Sequence, residues 1–250
     1  MPAMIRFAGT SMDLPSYLEH ERSVRDRQAS NYEGWIAGYQ HTAEWDRYSR
    51  IVSSWSGTVV DLGCGTGRFT RRLDRPDLEV IGVDFSSASL EVARKATSHA
   101  TFLEGDVRNV PLPDNSADHV LSIQVYEHLL QADDAQKFFS EVARLLKPEG
   151  TALISGYAYT LWDWLRRQKV FDCAQDVRFV RYSIPELRVF ARRSGLEVVR
   201  RGKAILFTRH PLNRFADWLP EGLLVSSDRC LSPVFGPLWG SLTILELEKR

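Results

Sequence analysis

Val59-Val60-Asp61-Leu62-Gly63-Cys64-Gly65-Thr66-Gly67-Arg68-Phe69 decides how the rest of this 250-residue chain is read. A hydrophobic run ends in an acid, three glycines follow at alternate positions, and helix-forming residues come next. That order predicts a buried strand, a tight turn and a helix N-terminus, the place where an open α/β sheet receives a cofactor. Outward from it, apolar runs alternate with amphipathic ones. Strands are expected at 58–62, 78–83, 100–103, 119–123, 151–155, 196–199 and 241–247. Helices are expected at 67–73, at 86–97 with Ser86 as cap, at 133–146 with Pro148 and Gly150 as the stop, and at 184–194 between Pro185 and Gly195. Ahead of the sheet, 14–30 reads as a polar surface helix. Residues 42–55 read as a second helix, with Trp45, Tyr48, Ile51, Val52 and Trp55 on one face. Strands alternating with helices imply βαβ units and a mostly parallel sheet.

Composition sets the class. The chain is 44% hydrophobic and 26% charged, as expected of a globular protein with a full core. Its formal net charge is +0, so no global field draws it to nucleic acid or to an anionic membrane. Between 166 and 203, however, eleven Lys/Arg face four acids; this surplus is read either as solvated helix faces or as a surface for an acidic partner. Cys64, Cys173 and Cys230 have no metal-ligand spacing and read as free thiols. No signal peptide and no membrane-spanning run is read, so the expected location is cytoplasmic, with no integral membrane association.

The glycines alone do not name a cofactor. A dinucleotide loop needs Gly-x-Gly-x-x-Gly, and counted from Gly63 the third position is Arg68. A Walker phosphate loop needs a Gly-Lys-Ser/Thr ending, which is absent. Asp61-Leu62-Gly63-Cys64-Gly65-Thr66-Gly67 resembles instead the first motif of class I S-adenosylmethionine-dependent methyltransferases. The resemblance continues through Asp84, Gly105-Asp106-Val107, Leu112-Pro113-Asp114-Asn115-Ser116-Ala117-Asp118-His119-Val120 and Glu141-Val142-Ala143-Arg144-Leu145-Leu146-Lys147-Pro148-Glu149-Gly150-Thr151. It implies a three-layer α/β/α Rossmann-like sandwich. The sheet is then seven-stranded and mostly parallel, with the last strand antiparallel, under an N-terminal helical lid. The lid is placed at 1–55 and the methyltransferase domain at 56–250, with substrate-side inserts at about 157–185 and 208–240.

The resemblance implies S-adenosylmethionine as cofactor and S-adenosylhomocysteine as product. Asp61, Gly63, Cys64, Gly65, Gly67, Asp84, Phe85, Asp106, Val107 and Gln124 form the expected cofactor site. Their chemistry agrees. A ribose diol suits the Asp84 carboxylate, which also has a capping role open to it. Asp106 can accept from an adenine amino group, and Phe85 and Val107 can wall the base. Glycines let backbone N–H groups approach the cofactor carboxylate, and Asp61 suits its amino group, directly or through water. Cys64 reads as a small loop residue rather than a nucleophile.

His128, in Gln124-Val125-Tyr126-Glu127-His128, follows the fourth strand, where acceptors meet the cofactor in this family. It is the candidate general base; the alternative is a Glu-His pair that orients the loop. Some related methyltransferases carry Glu-x-x-Glu-His here and bind a divalent metal. Gln124 replaces the first acid, and a neutral amide is a poor ligand for a hard cation, so no metal is expected. Tyr32, Trp35, Tyr39, Tyr126 and Trp162 are the candidate acceptor pocket. The expected reaction is in-line methyl transfer to a small organic, amphipathic acceptor. O-methylation leads, with N- or C-methylation as alternatives. Natural-product, quinone-like, lipid-linked and sugar acceptors all fit this reading. Nucleic acid is not an expected substrate, since no motif for an extruded base is present. The rival reading is a non-catalytic cofactor-binding module that regulates or activates a partner.

Overall fold

The computed structural model describes residues 5–7, 10–32, 38–172, 177–204, 240 and 242–250, with 223 and 230 as isolated positions. Its centre is a seven-stranded sheet built from β3 (Gly57–Leu62), β4 (Leu78–Asp84), β5 (Thr101–Glu104), β6 (Ala117–Ile123), β7 (Leu146–Tyr157), β10 (Leu196–Ala204) and β11 (Leu242–Lys249). The spatial order is β10-β11-β7-β6-β3-β4-β5. The β3–β4, β3–β6, β4–β5 and β6–β7 pairs are parallel, whereas β11 runs antiparallel to both neighbours. The chain leaves β3 for β4 on one side and reaches β6 on the other. That reversal opens a crevice beyond the carboxyl ends of the central strands. Two hairpins lie outside this sheet, β1 (Ile5–Phe7) with β2 (Thr10–Met12) and β8 (Val170–Asp172) with β9 (Arg178–Val180).

The strands are apolar on both sides because both faces are covered. Alternate residues point to opposite faces. Val60, Val120, Ala152, Ile154 and Leu245 thus meet Phe138, Phe139 and Val142 of α5 (Ala132–Leu145) and Leu187 and Phe190 of α7 (Ile184–Arg193). Val59, Val80, Leu121, Leu153 and Ile244 meet Tyr48 and Val52 of α2 (Gly38–Val52) and Leu73 of α3 (Thr70–Leu73). The α4 helix (Ser87–Ala96) buries Leu90 and Ala93 with Cys64 and Phe102 beside β5. Ser86 caps α4, its Oγ accepting from Ser89 N at 3.1 Å.

Several boundaries differ from the sequence reading. The helix expected from residue 67 begins only at Thr70, because residues 64–69 are spent turning the chain. The α5 helix ends at Leu145 and the chain enters β7 directly, ahead of the Pro148 and Gly150 stop. The supposed surface helix, α1 (Leu14–Gln28), buries Tyr17, Glu21, Val24 and Gln28 along one face. That stripe recurs at helical spacing, but half of it is polar, which hides it from an apolar count. The expected insert at 208–240 falls almost wholly outside the described residues.

Gly63 is fixed by both conformation and space. Its φ is 73°, and an added Cβ would stand 2.3 Å from Val125 Cγ2. Left-handed backbone costs a residue with a Cβ about 1–2 kcal/mol, and overpacking typically costs about 1–3 more. Gly63→Ala is therefore expected to destabilise the fold by about 2–5 kcal/mol, read as a lower urea midpoint at unchanged slope.

Candidate functional site

A cavity of about 760 Å³ opens in the crevice above β3, β4 and β6. Its floor includes Gly63, Gly65, Asp84, Asp106 and Gln124, and α1 contributes Glu21, Arg22, Arg25 and Gln28 from above. The volume lies in the range usual for cofactor and ligand pockets.

The loop after β3 is tied to the end of β4. Gly63 N and Cys64 N donate to Val83 O at 2.7 and 3.1 Å, and Gly67 N donates to Cys64 O at 3.0 Å. Asp84 Oδ2 accepts from Gly65 N at 2.8 Å, and its Oδ1 accepts from Ser86 N at 2.9 Å. Each of these four loop amides therefore already donates within the protein. Arg25 and Arg68 also face the cavity. Burial pushes the Asp84 carboxyl up, and the Ser86 and Gly65 amides counter it. A Cβ on Gly65 would meet nothing within 4 Å, so the loop presents open backbone to the cavity.

Asp106 also lines the cavity, but it is already engaged. Arg108 Nε donates to Asp106 Oδ1 at 2.9 Å, and Arg108 Nη2 donates to Oδ2 at 2.5 Å. Burial alone would raise this acid; the side-chain and backbone hydrogen bonds from Arg108 outweigh it and hold the carboxyl below its ordinary value. Arg108 Nη1 also reaches Asp134 at 3.1 Å. Phe85, Val107 and Cys64 line the cavity as well. Burial raises the Cys64 thiol well above its ordinary value, which fits a packed residue and not a nucleophile.

Two expected cofactor residues stand behind the wall. Asp61 is 2% exposed, does not line the cavity, and accepts from Thr70 Oγ1 at 2.6 Å. Burial pushes its carboxyl up to about 7. Gly67 likewise lies outside the lining; its place lets α4 approach, since an added Cβ would fall 3.0 Å from Ala93 Cβ.

The turn after β6 carries the reactive candidates. Gln124 adopts φ 59°, and its Nε2 donates to Glu44 Oε1 at 2.5 Å. Glu44 Oε2 meets Arg68 Nη2 at 3.0 Å, and both side chains are buried. Arg68, the residue that breaks the dinucleotide pattern, thus ties the glycine loop to α2. His128 lines the cavity, with Nδ1 3.2 Å from Glu21 Oε1 and 3.2 Å from the Arg178 carbonyl. Arg25 Nη2 stands 3.1 Å from His128 Nε2. The same Nη2 stands 3.4 Å from Nδ1, so Arg25 lies against the ring; it is the Arg178 carbonyl and the Glu21 carboxyl, acceptors at Nδ1, that favour the proton of a neutral ring on Nδ1. Glu21 is buried, and that burial pushes its carboxyl up to about 7 against the pull of Arg25. Tyr17 of α1 completes the clasp, its hydroxyl accepting from Arg178 N at 2.9 Å.

The acceptor-pocket candidates separate. Tyr32 lines the cavity. Tyr126 is fully buried in the core between Leu129 and Tyr182, so it supports the turn and does not face the cavity. Trp162 is 57% exposed on α6 (Leu161–Arg166), away from the cavity lining. Trp35 and the side chain of Tyr39 lie outside the described residues. Tyr157 and Phe179, in contact at 5.0 Å between ring centroids, supply the aromatic wall that the sequence reading missed. No group of three His, Cys, Asp or Glu with metal-binding geometry occurs among the described residues.

Comparison with known proteins decides the family. Residues 60–154 match the methyltransferase domain family. A protein of Anoxybacillus flavithermus named "Uncharacterized methyltransferase" is 30% identical over 214 residues, covering 80% of this chain and 96% of that protein. The chain belongs to the class I S-adenosylmethionine-dependent methyltransferases. A Mycolicibacterium smegmatis protein named "Probable S-adenosylmethionine-dependent methyltransferase" is 32% identical, covering 57% of this chain and 52% of the relative. A solved Thermotoga maritima methyltransferase, described as a possible histamine N-methyltransferase, superposes with a TM-score of 0.64 at 20% identity. That alignment covers 91% of this methyltransferase and 99% of the other, and it supports the fold alone. Among the described residues, no helix of this methyltransferase is long and apolar enough to cross a membrane.

Proposed function

We propose that this methyltransferase acts on a small, amphipathic organic acceptor bearing an ionisable hydrogen, most simply a hydroxyl, with His128 taking the proton. The observation that carries this reading is the convergence of Asp84, Gln124 and the Glu21–His128 pair on one cavity. When bound, S-adenosylmethionine supplies a methyl group already activated on a sulfonium. Asp84 is the residue for the ribose hydroxyls, Asp106 for the adenine amino group, and Phe85 and Val107 for the faces of the base. Arg108 holds the Asp106 carboxylate in place through its backbone N–H and its guanidinium, so an adenine amino group must share an oxygen with these donors.

His128 Nε2 holds the lone pair that receives the acceptor proton, and the Glu21 carboxylate steadies the imidazolium at Nδ1. Arg25, whose Nη2 stands 3.1 Å from Nε2, must move for an acceptor hydroxyl to reach that nitrogen. Tyr32, Tyr157 and Phe179 favour an acceptor with an apolar or aromatic body. The α1 helix, clasped to β9 through Tyr17, keeps water from the site. Orientation in a closed site supplies most of the acceleration such a transfer needs.

Two measurements test the reading. Calorimetry should show that S-adenosylmethionine and S-adenosylhomocysteine bind the same site. Labelled methyl transfer over a panel of phenols, amines and carbon acids should favour the phenols. Binding without turnover on any acceptor would favour the non-catalytic module instead, and preferential amine methylation would remove the need for an ionised hydroxyl.

A further inference from the structure

The loop between β7 and β9 carries an apolar surface with no place in the reaction. Between residues 161 and 170 every residue except Asp163 is exposed. Leu161, Trp162, Trp164 and Leu165 are 48%, 57%, 62% and 56% exposed, an unusual load of large apolar side chains on one short helix. The helix is nevertheless firmly built. Thr160 and Asp163 form a capping box at its start, and Arg167 closes it in the left-handed conformation.

Among the described residues, Asp163, Asp172 and Glu186 near the patch are each paired with a cation. Asp163 turns inward, where both its oxygens accept from Arg181 Nη1 at 2.8 Å. Asp172 takes Arg178, and Glu186 takes Lys169. Arg166 lies over the Trp162 ring at 5.9 Å, and Arg166 and Arg167 are both exposed. Exposed tryptophans and leucines beside arginines, with the acids near them among the described residues paired, make the surface that binds the headgroup level of an anionic bilayer.

We infer that α6 docks this protein on an anionic phospholipid surface. Tyr157 lies three residues ahead of the helix cap, and Phe179 stacks on Phe171 of β8; both Tyr157 and Phe179 line the cavity. Docking through α6 therefore sets the aromatic wall of the site near the lipid, where an amphipathic acceptor is concentrated. The docking itself does not depend on the acceptor proposed above.

Flotation of the full chain with phosphatidylcholine vesicles, with and without phosphatidylglycerol, tests this. Binding should require the anionic lipid and fall as ionic strength rises from about 0.01 to about 0.15 M. Trp162→Ala with Trp164→Ala should weaken it more than about tenfold. Arg166→Gln with Arg167→Gln, which keeps both tryptophans and both leucines, should weaken it about fivefold per charge. Calorimetric binding of S-adenosylhomocysteine should be unchanged in all variants. The inference is overturned if no anionic vesicle is bound at low salt, or if both double variants bind like the parent. It is also overturned if the tryptophan variant loses thermal stability, which would assign the patch to the chain's own apolar stretch at 211–240. Dissociation of a dimer by that variant would overturn it too, by assigning the patch to a second copy or a protein partner.

Discussion

Replacing Asp84 with alanine is expected to weaken S-adenosylmethionine binding about a hundredfold, the loss of one to two charge-assisted hydrogen bonds. The reason lies in how the sequence spends this carboxylate. It ends β4, it is 7% exposed, and its two oxygens already hold the Gly65 and Ser86 amides. It therefore fixes the glycine loop and the start of α4 while still facing the cavity. Burial raises its pKa, so ionised Asp84 is under-solvated where it sits and gains by accepting from a ligand diol. Asp84→Asn keeps the shape but turns an NH2 toward one of two backbone N–H groups; it should bind weakly too, while folding. Calorimetry on both variants, with melting temperatures as control, makes the check. Affinities within about twofold of the parent would remove Asp84 from the cofactor site.

The parts of this site legible in the sequence are those that backbone geometry dictates. Short apolar runs placed β3, β4 and β6 to within one or two residues, and Ser86 caps α4 as its position after Asp84 implies. Asp84 ends β4, and Asp106 and Gln124 follow the carboxyl ends of β5 and β6, the side of the sheet on which the cavity opens. What stayed hidden depends on contacts distant in sequence. Asp61, an expected cofactor residue, is buried behind the wall, where its Oδ2 accepts from Thr70. Glu21 and Arg25 sit on a helix whose buried stripe mixes Tyr17 and Val24 with Glu21 and Gln28, so no hydrophobic period announces it. The signal available was the i, i+4, i+7, i+11 recurrence of large residues regardless of polarity. Tyr126 and Trp162 were chosen as aromatics near the expected pocket, but residue type does not say which way a ring faces. The tight turn after β6 sends Tyr126 into the core, and the inward Asp163–Arg181 pair leaves Trp162 outside.

Glu21 and His128 carry the other large expectation. His128→Ala should lower kcat by about 10² to 10⁴ at neutral pH with little change in S-adenosylhomocysteine affinity, the usual worth of a positioned general base. Glu21→Gln is the sharper test, because a merely structural helix contact would leave the pH profile where it is. The carboxylate lies 3.2 Å from Nδ1 and favours the protonated ring; the amide does not. The rising limb of kcat/KM should therefore move to lower pH by about one unit, with a reduced plateau. The two groups are coupled, so that limb reports the pair.

Stability must move in a defined direction as well. The Glu21 carboxyl is raised in the folded protein from 4.5 to about 7, so the folded state binds more protons than the unfolded state between those values. The contribution is fully present below pH 4.5 and is lost as pH rises through about 7. Relative to the parent, the Gln variant should thus gain up to about 3 kcal/mol across that window, at about 1.4 kcal/mol per unit. Urea midpoints of both proteins at acid and alkaline pH read this difference. If the two midpoints track each other while the activity limb shifts, Glu21 acts only on the ring. If neither moves, the Glu21–His128 pair is no part of the chemistry, and methyl transfer here proceeds without a base.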